Sequence, residues 1–278
     1  MLRMSEPFFV PAADGASSGE DVDDEAVVRG TFATLDQWRR IQGPFTPISG
    51  SELARDDEDW PHFGVSQVAW SGFTVAIEHL QAIRAHIDVQ APNRPNLFAF
   101  AHQTLARTAL IGAATAVWVL APDDRAKRIE RARNVVTYQQ DEHHKYLRAL
   151  QGLADHAGTD AVADHVAMRE RELAAKRTAD GQTAKYETTR IVREAALAAF
   201  KTKPLADEVV AGWRSGSGAA HGLLFPLLGR SPMAQGPSDG QGRATFFIGG
   251  HFELFSNAYM AAYHLANHGW SLLVRRGR

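Results

Sequence analysis

The chain has 278 residues, 45% apolar and 22% charged, enough for a sizeable hydrophobic core in one or two domains. Thirty Lys and Arg stand against 32 Asp and Glu, a formal net charge of −2, so bulk charge does not indicate a strongly basic nucleic-acid binder. Cysteine is absent, which excludes disulfides, thiolate metal sites, iron–sulfur clusters and a cysteine nucleophile.

Residues 1–30 hold seven acids and two arginines, a net of −5, which leaves +3 for the remainder. Pro11–Gly19 has no periodicity, so 1–30 reads as a disordered acidic tail and 31–278 as one folded domain. The start of the chain soon reaches Pro and acids without the apolar core of a signal peptide. Its longest apolar or small run, Ala109–Ala121, has 13 residues, short of the roughly 20 that span a bilayer. The expectation is a cytoplasmic protein without a membrane segment.

A short helix is expected around Leu35–Ile41, followed by Gly-Pro and the acidic run Asp56–Asp59. From His62 to Ile87 the apolar positions Val65, Val68, Gly72, Ala76, Leu80 and Ile83 repeat every three to four residues, one face of an amphipathic helix. The next helix, about Leu97–Leu120, is apolar almost all round and therefore central. Pro122-Asp-Asp opens a third that runs to about Leu153, with Arg125, Arg128, Arg131 and Arg133 on a solvated basic face. Gly158-Thr-Asp160 marks a further start and Asp180-Gly181 a break. Helices follow at Thr189–Phe200, from Lys203 to near Trp213, and from about His251 to Val274. The segment 230–243 reads as a long polar loop and Ala244–Ile248 as a candidate strand. The fold class is all-α, a bundle of six to eight helices.

Familiar chemistry is mostly missing. His264 and His268, four apart, could share a metal, and Asp141–His144 is a dense polar cluster. A helical di-iron site needs Glu-x-x-His pairs, however, and no Glu is followed three residues later by His. Solvated or hydrogen-bonded histidines account for both groups, so no metal and no cofactor are expected. Neither a phosphate loop ending in Gly-Lys-Ser/Thr nor a Gly-x-Gly-x-x-Gly occurs. Arg107 lies within the most apolar helix and needs a partner, either Glu78 or an anionic ligand at the centre of the bundle.

The most informative stretch is Trp213-Arg-Ser-Gly-Ser-Gly-Ala-Ala-His-Gly222. Here one helix is expected to end near Trp213, and Ser217 to cap another that begins at Gly218. Free amides at that start, with Arg214 beside them and His221 one turn in, would form an anion site. Arginine can hold a phosphate bidentately, and histidine can move a proton near neutrality.

Arg214 and His221 fit the Arg-x(4–6)-His signature of HEPN-family ribonucleases, which are all-helical. The wider pattern from Trp213 to Gly222, and Ala113–Pro122 with the arginines after it, resembles HEPN-like proteins of actinobacteria over roughly 97–278. That resemblance implies metal-independent RNA cleavage by a homodimer. His221 would be general acid or base and Arg214 would hold the phosphate, with Ser217, Gly218 and neighbouring Trp213 and Arg107 in the binding pocket. The alternative expectation is a non-catalytic binding or regulatory module for a small anionic ligand or a partner protein, held around Arg107 and Arg214.

Overall fold

A computed structural model describes residues 23–41, 43–89, 94–151, 159–228, 233–238, 240–241 and 244–278. Three short helices come first, α1 (Asp24–Gly30), α2 (Phe32–Arg39) and α3 (Glu52–Asp57). Then come α4 (Val65–Ile87), α5 (Ala101–Leu120), α6 (Arg125–Gln151), α7 (Thr159–Ala179), α8 (Thr188–Phe200), α9 (Lys203–Ala220) and α10 (Ser256–Gly277). The fold is all-α, as expected, with seven long helices, α4 to α10, and three short ones among the described residues where six to eight in all were expected.

The apolar stripe of α4 does what its period requires: Val65, Val68, Gly72, Ala76, Leu80, Ile83 and Ile87 are all buried. They face α5, whose residues from Ala109 to Leu120 are almost all buried. Helices α4, α8, α9 and α10 all pack on α5, so it is the axis of the bundle. By length and composition α5 could also cross a membrane, but 72% of its apolar window is buried inside the bundle. Its apolarity is used up in the core.

The basic face assigned to α6 needs correction. Arg128 and Arg133 are 2% and 4% exposed, and the acidic run before α4 holds both. Asp56 receives the Arg128 Nε at 2.7 Å and Nη2 at 3.2 Å, and Asp59 receives the Arg133 Nε at 3.0 Å and Nη2 at 2.7 Å. These bidentate pairs clamp α6 to the α3 region. Arg131 turns to Glu194 of α8, at 2.6 Å, and lies over the Trp118 ring at 4.8 Å. A fully solvated arginine face would have left the buried carboxylate of Asp56 without a counter-charge.

Two further boundaries shift. Residues 1–22 of the expected tail lie outside the described residues, but its last seven residues form α1. Asp23 caps this helix by accepting from the Ala26 amide, and Val28 is fully buried. In the expected loop, Met233–Ser238 (β1) pairs antiparallel with the expected strand Ala244–Ile248 (β2), so six residues of that stretch are one strand of a two-stranded sheet. A 3-10 turn at Phe252–Leu254 then leads into α10.

Candidate functional site

Helix α9 runs without interruption from Lys203 to Ala220, so the expected break at Trp213 and the fresh start at Gly218 do not exist. The two glycines sit in the helix because packing needs them there. A Cβ on Gly216 would come within 2.6 Å of the Arg107 Cβ, and one on Gly218 within 2.5 Å of the Phe225 ring. Ser217 is therefore an interior residue of the helix and not its N-cap.

His221 lies at the opposite kind of helix end from the one expected. It is the C-cap of α9, and Gly222 follows in the left-handed conformation at φ +69°. The Gly222 amide bonds to the Ala219 carbonyl at 3.0 Å and the Leu223 amide to that of Gly218 at 2.9 Å, a Schellman ending. A helix C-terminus offers carbonyl oxygens, not amides, so no anion site forms at Gly218. Arg214 and His221 are both exposed, and their spacing of seven residues, two helical turns, places them on one side of α9.

Arg107 is half-buried, and its Nε is buried without a partner among the described residues. Glu78, its expected counter-ion, is exposed and makes no ion pair with it. Burial pushes up the Tyr186 hydroxyl nearby, an effect that the Arg107 charge offsets only slightly, and the Tyr186 ring stacks on Tyr138 at 4.2 Å. Trp213 packs against the core and also leaves its Nε1 buried without a partner among the described residues.

The structure draws a different set of residues together. A cavity of about 360 Å3 opens between α9 and α10, closed by the start of α5, the end of α8 and the turn before α10. Its walls are apolar, from residues such as Phe200, Val209, Ala261 and Met260, and its polar groups converge from four elements. The buried Gln103 forms part of it: its amide donates to the Ala99 carbonyl at 2.7 Å, and its Oε1 accepts from the Ser215 hydroxyl at 3.0 Å. Glu208, Glu253, Asn257 and His264 complete the polar lining. Neither Arg214 nor His221 lines it.

His264 packs edge-on to Phe200 at 6.4 Å and to Tyr263 at 5.3 Å, and burial lowers its pKa. Ser215 and His264 share the cavity without a hydrogen bond between them; the Ser215 hydroxyl donates to Gln103 instead. Burial likewise lowers the pKa of His268. The described residues hold no group of three or more His, Asp or Glu able to bind a metal, and His144 of the Asp141–His144 cluster pairs instead with Glu170 at 3.0 Å.

Sequence reasoning named Arg107, Trp213, Arg214, Ser217, Gly218 and His221, and of these none lines the cavity, although Ser215 and Gly216 between them do. The signal for the true end of α9 was His221-Gly222, a residue pair suited to a C-cap and the left-handed position after it. Gln103, Glu208 and Glu253 had no local signature, and His264 stood out only as a possible metal partner of His268, because these residues come together only through the packing of α5, α9, α10 and the turn before it. No family model matches the chain, and no curated protein or solved structure matches it.

Proposed function

We propose that the protein is a helical binding module that takes a small organic ligand into the cavity between α9 and α10. One observation carries this reading. The volume of about 360 Å3 lies within the range of about 300–1,000 Å3 of small-molecule sites, with apolar walls and a few convergent polar groups. Gln103 and Ser215 supply one ordered polar corner, and His264 adds an imidazole to the lining. The test is a thermal-shift screen of the full chain against small molecules, repeated on Ala261→Phe, which fills the space from a lining position. Ligands that stabilise the wild type and lose their effect in Ala261→Phe support the reading. Ligands that act equally on both variants overturn it.

A second reading keeps the HEPN-type ribonuclease, with RNA as substrate and a homodimer as the working unit. The observation that favours it is the exposure of Arg214 and His221 on one side of α9, two turns apart. There Arg214 would grip a phosphate and His221 would transfer the proton. RNA cleavage by the wild type that falls roughly 10²–10⁴-fold in His221→Ala supports this reading, and cleavage that persists in that variant overturns it.

A further inference from the structure

A second cavity, of about 370 Å3, lies between α6 and α7 and is closed by the turn that follows α3. Asp59, which holds Arg133 of α6, also accepts from the Lys176 ammonium of α7 at its backbone carbonyl, at 2.5 Å, and so ties the turn to both helices. Pro61 opens the turn, and the Phe63 amide closes it on the Trp60 carbonyl at 3.2 Å. Trp60 and Phe63 are thereby set against Val136 of α6 and Val166 of α7. The Trp60 ring packs edge-on to His62 at 5.2 Å, and Arg169 Nη1 donates to the His62 Nε2 at 2.6 Å on the exposed side. No residue lines both this cavity and the one between α9 and α10, so the two are separate sites.

Two lining residues each bury a polar atom that has no hydrogen bond among the described residues: Trp60 its Nε1, a donor, and Gln140 its Oε1, an acceptor. Trp60 is only 6% exposed, and a buried indole N–H ordinarily finds a partner. Gln140 is half-buried and no hydrogen bond ties its Oε1 down, so its amide can turn toward an occupant. A purely apolar molecule would leave both atoms unmet. A carboxylate or an ester brings no N–H for Gln140, and an ammonium brings no acceptor for Trp60. A primary carboxamide carries both complements in one small group, and a flat ring attached to it suits the Trp60 and Phe63 side chains. We propose that the α6–α7 cavity binds a small aromatic carboxamide, its carbonyl accepting from Trp60 Nε1 and its N–H donating to Gln140 Oε1.

The test titrates the full chain with benzamide and with acetophenone, which keeps the ring and the carbonyl but lacks the N–H. Calorimetry is expected to show benzamide binding roughly tenfold tighter, the worth of one hydrogen bond. Gln140→Leu is expected to remove that preference while leaving acetophenone binding unchanged. Trp60→Phe keeps a ring but deletes the indole N–H, and is expected to weaken both probes roughly tenfold. Circular dichroism confirms that each variant is folded, and Gln140→Leu carries the test alone if Trp60→Phe is not. Ala261→Phe, which fills the other cavity, is expected to leave benzamide binding as it is. Benzamide binding that is lost in Ala261→Phe would place the ligand between α9 and α10 and overturn the proposal. A preference for benzamide that survives Gln140→Leu overturns it too, as does the failure of benzamide to bind at millimolar concentration.

Discussion

Gly72 of α4 and Gly112 of α5 meet backbone to backbone: a Cβ on either would lie 2.6 Å from the carbonyl oxygen of the other. This crossing lets the two central helices approach closely and sets the spacing on which the rest of the bundle is built. A methyl group at that point has no flexible side chain to push aside, so the helices themselves must separate.

Gly112→Ala is therefore expected to destabilise the fold by about 1–3 kcal/mol or more, despite the better helix propensity of alanine. Gly30→Ala is the control, since a Cβ there meets nothing within 4 Å, and it is expected to be neutral. Urea denaturation of the two variants against wild type measures the contrast. Equal midpoints would show that the crossing can open at no cost.

Asp56 is 1% exposed and is the main carboxylate partner of the buried Arg128. Asp56→Ala leaves that guanidinium with only Glu52, at 3.4 Å, as a carboxylate partner, an expected loss of about 3 kcal/mol. Arg125→Ala removes only an exposed partner of the same carboxylate, at 3.3 Å, and is expected to change stability by less than about 1 kcal/mol. A small effect from Asp56→Ala in denaturant titration would mean that Glu52 and the Pro122 and Asp123 carbonyls, which also accept from Arg128, suffice to hold it.

The fully buried His102 accepts the Phe98 amide at Nδ1, at 2.9 Å, which leaves its Nε2 to donate to His86 Nδ1 at 3.1 Å. Burial, with a smaller contribution from His86, holds its pKa at about 4 against an ordinary 6.5. As pH falls through 6.5 the unfolded chain takes up a proton at this site, and the folded chain does not until about 4. Stability from this group is thus present above 6.5 and declines across that window, by an expected ~3 kcal/mol in all. The difference in urea midpoint between wild type and His102→Gln, followed from pH 7 to pH 4, is expected to shrink on acidification. A pH-independent difference would show that His102 charges freely within the fold.

Val28 is fully buried and α1 packs on α10, while Thr31 bonds the Tyr259 hydroxyl at 2.7 Å just beyond it. A chain that begins at Gly30 is expected to melt measurably below one that begins at Asp23, since burying a valine contributes about 1.5–3 kcal/mol. Identical melting temperatures would show that α1 contributes nothing to the core.

The periodic stripe of α4 and the apolar run of α5 were legible without a structure because burial of one helix face is a local, repeating demand on side chains. Every stripe position from Val65 to Ile87 is indeed buried. The same local rules misread Ser215–Gly218, where two glycines suggested a break. Their helical cost is offset by the close approach of Arg107 and Phe225, and those neighbours are 109 and seven residues away in sequence from the glycines they meet. Arg128 and Arg133 read as solvated for a similar reason, since their carboxylates stand 72 and 74 residues earlier. Helix class and core face follow from composition and period alone. Which arginines are buried, where α9 ends against its neighbours, and which polar groups surround one cavity depend on contacts between distant segments, which only close packing of the helices creates.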